Sequence, residues 1–251
     1  MIFLNSQIIL VSSASQSAAA AQTGLPLLRF GLALDANGIL QRTAAHTRRA
    51  NDILCLSDFG VSAPISCDTV ARLVQEAAHY GGLFADIDRS SVHLNNFLKA
   101  LDTACLAANL PLFVPYAQIT CAPHAFAVVP GAASGGSLRE ELELGMQRQN
   151  GKLAVSFQAI RRRFMLPSAD PNGEELTQGE LTAALQKSGA HSFFSQELCA
   201  NYFTYMDGDS GVFILYDTDE SLQMRLQLMR DIGAPYIFAE WQGCEALFKR
   251  S

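Results

Sequence analysis

The chain has no paired-cysteine spacing: its six cysteines, at positions 55, 67, 105, 121, 199 and 244, never form a CxxC pair. That argues against a redox dithiol or a thiolate metal knuckle. Most lie in apolar segments, where a free thiol packs as a small hydrophobe, so reduced structural cysteines in a cytosol-like compartment are expected. Histidine is scarce too, and His46, His79, His93, His124 and His191 show neither i, i+4 nor HExxH spacing. No metal site is expected. No GxSxG elbow occurs, and Gly135-Gly136-Ser137 reads as a loop capping the helix that follows. Glycine-rich phosphate loops are missing, and no cofactor is expected. Basic residues are the rarer charge, 18 against 24 acidic for a net −6, and the longest basic run is Arg161-Arg162-Arg163. A phosphate-backbone partner is therefore not expected, so nucleic acid is set aside. No apolar run approaches the ~18 residues of a membrane span. The N-terminus lacks a basic n-region, and Asn5, Ser6 and Gln7 interrupt its apolar stretch. It reads as a first strand leading into a small-residue helix rather than as a secretion signal, and a cytoplasmic location is the expectation.

What is present is a large apolar supply, 49% of 251 residues, enough for one extensive core and typical of one complete α/β barrel. Short continuous apolar runs, the mark of strands buried on both faces, occur at 7–11, 28–34, 53–57, 82–87, 110–116, 125–129, 153–159 and 236–241. Between them lie helical stripes. Val70, Leu73, Val74 and Ala77 share one face of 68–80, and Leu94, Phe97, Leu98, Leu101 and Cys105 share one face of 94–107. Helical patterns at 138–149 and 221–230 continue the alternation. Strand and helix alternating through eight units predict a parallel sheet closed into a (β/α)8, or TIM, barrel spanning 1–251 as a single domain.

One stretch breaks the rhythm. Between the seventh and eighth strands, a helix pattern at 176–186 is followed by alternating segments at 201–206 and 212–216, joined by Asp207-Gly208-Asp209-Ser210-Gly211. That turn chemistry marks a β-hairpin. A small α+β insertion over 167–218, walling one side of a cleft at the carboxyl face of the barrel, is the expectation.

Chemistry in such a barrel sits at the carboxyl ends of its strands. The polar residues there are Asp35, Asp58, Asp86, Asp88, Tyr116, Gln118, Gln158 and Glu240, followed by Trp241. Asp35 and Asp58 each precede a turn and fit a helix cap or loop charge. Asp86 and Asp88 differ, because they follow the apolar run Tyr80-Gly81-Gly82-Leu83-Phe84-Ala85 and, at i and i+2, share one side of a strand. Two carboxylates that close cannot both ionise cheaply; one should hold a raised pKa and serve as a proton donor. The plain alternative is a pair solvated or bridged by Arg89 at the rim. Phe157, Phe164, Tyr202, Phe203 and Trp241 could stack on sugar rings, although core and hairpin packing explains all but Trp241 as well.

The stretch from Tyr80 to Asp88, followed by Asn95-Asn96-Phe97-Leu98, resembles the fourth strand and helix of family 18 glycoside hydrolases, in the branch of spore-germination, cortex-lytic enzymes. That family carries DxxDxDxE on its fourth strand; with the motif ending at Asp88, its acidic positions fall on Gly81, Phe84, Asp86 and Asp88. The resemblance extends over most of the chain. Segment 110–116 resembles the fifth strand and 151–165 the seventh, Tyr202-Phe203, Tyr205, Gly211 and 215–221 resemble the hairpin before the last helix, and 231–241 resembles the eighth strand, whose closing tryptophan floors the family's sugar subsite.

What the resemblance implies is substrate-assisted hydrolysis of glycans containing N-acetylglucosamine, of the peptidoglycan or chitin type. The family's acid protonates the glycosidic oxygen while the neighbouring aspartate orients the acetamide that attacks the anomeric carbon. By this correspondence Asp88 is the acid, Asp86 its partner and Trp241 the subsite floor, with Tyr116, Gln118, Gln158 and Glu240 as further substrate contacts. Two departures stand against it. Aspartate at 88 withdraws the carboxyl by about one methylene, and a misplacement near 1 Å costs on the order of a hundredfold in rate. The family's acetamide-holding tyrosine falls near Ala132 or Ala133. If the frame slides by two, the acid position becomes Ser90, which cannot protonate a leaving group. The competing expectation is a catalytically inactive barrel that binds glycan or a protein partner.

Overall fold

The computed structural model describes residues 6–44, 48–133, 135–167, 170 and 172–249. In chain order the elements are β1 (Gln7–Val11), α1 (Ser17–Ala21), β2 (Leu28–Leu34), β3 (Leu40–Arg42), β4 (Ile53–Asp58), α2 (Cys67–Ala77), β5 (Gly82–Asp86), α3 (Val92–Ala107), β6 (Leu112–Pro115), β7 (Phe126–Pro130), α4 (Leu138–Arg148) and β8 (Leu153–Phe157). Then follow β9 (Arg161–Leu166), β10 (Glu174–Glu175), α5 (Gln178–Ser188), β11 (Phe193–Ser195), β12 (Ala200–Asp207), β13 (Ser210–Tyr216), α6 (Asp219–Asp231), β14 (Tyr236–Glu240) and α7 (Glu245–Phe248).

The strands expected from apolar runs all form, and they join one curled nine-stranded sheet in the order β1-β14-β8-β7-β6-β5-β4-β2-β3. Every neighbouring pair in it is parallel except β2 with β3. The two sides of the curl approach each other at the amino-terminal end of β2. Leu10 and Leu27 form a parallel bridge there, and the Leu10 N–H donates to the Pro26 carbonyl at 2.8 Å. Asp52 braces that corner from within, accepting from the Leu27 N–H at 2.9 Å and from Arg29 Nε at 2.6 Å. Higher up, β3 lies antiparallel against Leu32, Ala33 and Leu34 of β2.

Alternation along these strands sorts their side chains into two layers. One set meets the helices: the stripes of α2 and α3 pack with Leu54, Leu56, Leu83 and Ala85, while α4 and α6 pack with Val155, Phe157, Ile237 and Ala239. The other set fills the interior of the curl with Ile9, Leu28, Ile53, Cys55, Phe113, Ala154 and Phe238. Helix starts follow the side-chain chemistry. Ser66, Ser91 and Ser137 each accept an N–H three residues on, and Thr177 and Glu180 form a full capping box on α5.

A second, five-stranded antiparallel sheet has the order β10-β9-β13-β12-β11. It takes in β9 as well as the expected hairpin, because residues 161–166 pair with residues 211–216 of β13. One face packs against α5 through Phe203, Val212, Ile214 and Tyr216. All six cysteines are free thiols, and all but Cys67 are buried. No helix among the described residues is long and apolar enough to cross a membrane.

Candidate functional site

The interior of the curled sheet is plugged by aromatic rings. Phe113 stands at the centre, its ring 5.3 Å from Phe126, 4.8 Å from Tyr236 and 5.1 Å from Phe238, and Phe84 meets Phe238 edge-on at 5.2 Å. Room for Phe113 comes from Gly82: a β-carbon there would stand 3.0 Å from the ring and 2.9 Å from the Pro111 carbonyl oxygen. Toward the carboxyl ends of the strands, the same interior positions turn polar. Ser57 follows Cys55, Asp86 follows Phe84, Ser156 follows Ala154, and Glu240 follows Phe238, each two residues on. A polar mouth therefore sits on an apolar floor.

Asp86 ends β5 opposite Ser57 and is half-buried. Burial first, and the charge of Asp88 second, push its carboxyl above the ordinary aspartate value. Burial first, and the Asp86 charge second, push the Cys55 thiol far up, keeping it protonated beneath the mouth. Glu240 is raised for a similar reason, burial first and the Glu175 charge second. Asp86 and Glu240 are reached from strands on opposite sides of the interior, each two residues beyond Phe84 and Phe238, whose rings touch.

Asp88 is placed differently from the strand expectation. The Ile87 N–H folds back onto the Ala85 carbonyl at 3.0 Å, so the strand ends at Asp86 and Asp88 lies beyond the turn, exposed. Strand parity no longer forces it to share a side with Asp86.

The remaining rim residues divide. Asp35 and Asp58 are taken up by local turns: Asp35 accepts from the N–H groups of Asn37 and Ile39, and Asp58 from those of Gly60 and Val61 as well as from Arg89. Arg89 thus bridges Asp58 rather than the Asp86 and Asp88 pair. Gln118 is buried and its amide holds the Arg89 carbonyl at 3.2 Å, a brace for the β5–α3 loop. Tyr116 is exposed on the short 3-10 turn after β6. Gln158 lines a cavity of about 250 Å³ with Ser156, Gly131, Ala132, Ala133 and Arg162. The stretch corresponding to the expected acetamide-holding tyrosine thus forms a wall of that cavity with no hydroxyl.

Trp241, expected as a subsite floor, is in the wall of neither the Gln158 cavity nor the hollow beside Phe30. It is 4% exposed and packs in the outer layer with Phe157, Leu226 and Phe248, because it has the parity of Ile237 and Ala239 while Glu240 takes the interior side. Another partly exposed ring on the interior side, below the level of the mouth, is Phe30. A register shift between Phe30 and Leu32 keeps Phe30 level with Cys55 on the interior side, 41% exposed. It lines a hollow of about 410 Å³ with Val11, Ser12, Gln16, Glu240 and Gln242. Neither hollow has Asp86 in its wall. The sequence signal for Phe30 was faint: one aromatic followed by glycine within an apolar run.

Beneath the first hollow lies a buried ion pair that sequence reading missed. Arg225 is fully buried and donates to the carbonyls of Gly131 at 2.8 Å and Gln158 at 2.6 Å, and to Asp217. Its guanidinium lies 4.8 Å over the Phe157 ring. Asp217 also accepts from the Ile160 N–H and from Ser221; burial pushes its carboxyl up against the pull of Arg225. The pair ties the ends of β7 and β8 to the root of the second sheet. Among the described residues no group of three or more His, Cys, Asp or Glu side chains is placed to hold a metal ion.

No family model matches the chain, and no curated protein matches it. Solved structures do. The fold is similar to that of a chitinase from Chromobacterium violaceum ATCC 12472, with a TM-score of 0.63 and 17% identity over 98% of this chain and 100% of that one. It is also similar to the Bacillus cereus spore cortex-lytic enzyme SleL, with a TM-score of 0.61 and 15% identity over 94% of this chain and 70% of that one. A family 18 chitinase from Cycas revoluta, solved in complex with (GlcNAc)3, gives 0.56 and 13% with 97% of each chain covered. At these identities the likeness is one of fold.

Proposed function

We propose that the curled sheet is a (β/α)8 barrel of the family 18 glycoside hydrolase type, one domain over 1–251 with the second sheet as its insertion. Its mouth binds glycans containing N-acetylglucosamine, of the peptidoglycan or chitin kind, and its hydrolytic step is crippled. The observation that carries the binding half is the polar mouth itself, with Asp86, Glu240, Ser156 and Gln158 set on an aromatic floor at the carboxyl ends of the strands, in a fold shared with chitinases. Phe30 and its neighbouring hollow offer a sugar ring an apolar face beside a carboxylate.

The crippled half follows from position 88. Substrate-assisted hydrolysis needs an acid that reaches the glycosidic oxygen and a neighbour that orients the acetamide. Asp86, half-buried and raised, suits the orienting role. Asp88 would have to be the acid, but it is a methylene shorter than glutamate, exposed and past the strand end. No tyrosine hydroxyl stands in the wall built by Gly131, Ala132 and Ala133.

The experiment is a paired assay of binding and product with chito-oligosaccharides and muramyl fragments, using the wild type and the Asp86→Asn and Glu240→Gln variants. Saturable binding with little or no cleavage, weakened by either substitution, is expected. Efficient cleavage would overturn the crippled-acid half, and a lack of binding to either ligand would overturn the glycan reading in favour of a protein-facing role.

A further inference from the structure

Three arginines from separate segments converge on one hollow on the outer side of the curled sheet, between β3 and α2. Arg42 ends β3, Arg48 lies beyond it, and Arg72 stands on α2; together they border a space of about 340 Å³. Leu32 and Leu40, from the outer layer that meets α2, supply its apolar part. Arg72, Gln75 and Glu76 share a stripe of α2 beside the one that Val70, Leu73 and Ala77 bury. His79, just past the helix, completes the lining. None of Asp86, Glu240, Ser156 or Gln158 borders this hollow.

Among the described residues, Glu76 is the one carboxylate in the lining, and it is shared. Its Oε1 lies 3.1 Å from Arg42 Nη2 and its Oε2 2.7 Å from Arg48 Nη2. The Glu76 side chain is 15% exposed, whereas the two arginines are 50% exposed and have further N–H groups facing outward from the pair. Four residues along α2, Glu76 would be the ordinary partner of Arg72. Both of its oxygens are spent on the arginines from the β3 side instead, and Arg72 has no ion pair among the described residues. Three guanidiniums against one carboxylate leave two positive charges uncompensated, in a chain whose net charge is −6.

We propose that this hollow binds a phosphomonoester group, at a site separate from the mouth and independent of the glycan reading. Guanidinium forks match phosphate oxygens in pairs and stay charged at any physiological pH. A phosphomonoester carries close to two negative charges at neutral pH, which matches the uncompensated charge and relieves the crowding of three like charges. Glu76 already holds two of the forks from one side, so capture of an anion on the other side costs less ordering. The volume and the apolar contribution of Leu32 and Leu40 suit the body of a small phosphorylated molecule. A nucleic-acid backbone would need a longer row of cations. A clasp that merely fastens β3 to α2 needs Glu76 with Arg42 and Arg48 but has no use for Arg72. Arg72 therefore separates the two readings.

The test is a calorimetric titration of the whole chain, at neutral pH and low salt, with inorganic phosphate and with glycerol 3-phosphate. Wild type, Arg72→Gln, Arg72→Lys and Arg139→Gln are compared. Arg72 is exposed and unpaired, so its substitution leaves folding intact. Saturable binding of both ligands is expected. Arg72→Gln should weaken it about tenfold, and Arg72→Lys about threefold, because the charge stays while the fork is lost. Arg139→Gln, which removes an exposed arginine of α4 paired with Glu143, should leave it unchanged. No saturable binding, binding that Arg72→Gln leaves unchanged, or an equal loss in Arg139→Gln overturns the site, the last by showing diffuse attraction only. Pelleting with phosphatidylcholine vesicles containing phosphatidic acid separates the sources of the phosphate. Pelleting lost in Arg72→Gln places it on a lipid surface, and solution binding without pelleting places it on a soluble molecule; either supports the site. Failure of the site leaves the mouth reading standing, since the two share no residue.

Discussion

The two sheets use aromatic residues in opposite ways. In the curled parallel sheet, Phe84, Phe113, Phe126, Tyr236 and Phe238 turn inward and bury one another, and two positions beyond Phe84 and Phe238 the carboxylates Asp86 and Glu240 take over. In the antiparallel sheet, one face is sealed by α5 while the other shows Phe213, Tyr202 and Phe193 increasingly to solvent. The difference follows from architecture. A parallel sheet in an α/β fold is covered on both faces, whereas an antiparallel sheet can leave one face wet. The same residue type is therefore buried in the first sheet and left partly in solvent in the second.

That contrast can be broken by substitution, and the largest effect belongs to the plug. Phe113→Ala should cost about 3–5 kcal/mol of stability, as a buried aromatic truncation with no room to collapse; chemical denaturation with an unchanged slope checks it. A loss below about 1 kcal/mol would mean that the plug is not the core of the curled sheet. Arg225→Met should be nearly as damaging, about 3–5 kcal/mol, because it strands the buried Asp217 carboxylate. Combining it with Asp217→Leu should recover most of that loss, since replacing both buried charges with apolar side chains removes the stranded group.

Smaller effects sharpen the comparison at the mouth. Asp86 has its pKa raised in the folded chain, so its ionised form opposes folding in full above that raised value, and the penalty fades as pH falls through it and is gone below the unfolded-state value. Asp86→Asn should therefore raise the melting temperature at neutral pH and lose that advantage in acid. An advantage that grew on acidification would contradict the assignment. If any hydrolysis is measurable, Asp88→Asn should abolish it without changing stability, and unchanged turnover would remove Asp88 from the mechanism. Smallest of all, Phe193→Ala should shift stability by no more than about 0.5 kcal/mol, as an exposed position should, measured by chemical denaturation.

The parallel framework was legible because burial on both faces writes unbroken apolar runs into the chain, and each of those runs forms a strand of the curled sheet. β9 was not: Arg161-Arg162-Arg163 reads as a basic run, although its alternate residues serve opposite faces of a strand. The carboxylates were legible as residue types but not in their placement. The i, i+2 rule held only while the strand continued, and the turn at Ile87 ends it between Asp86 and Asp88. The packing of Trp241 with the outer layer was hidden for the same kind of reason, since one step of parity separates the interior from the outer shell. Phe30 depended on a register shift and Arg225 on contacts almost a hundred residues apart in sequence, and neither leaves a local pattern.

The most direct test is a crystal structure of the chain soaked with N-acetylglucosamine trimer. We expect an intact trimer at the carboxyl ends of the curled sheet, touching Phe30 or Gln158 and within hydrogen-bond reach of Asp86 or Glu240. A trimer seated elsewhere, or a mouth left empty at saturating ligand, would contradict the account.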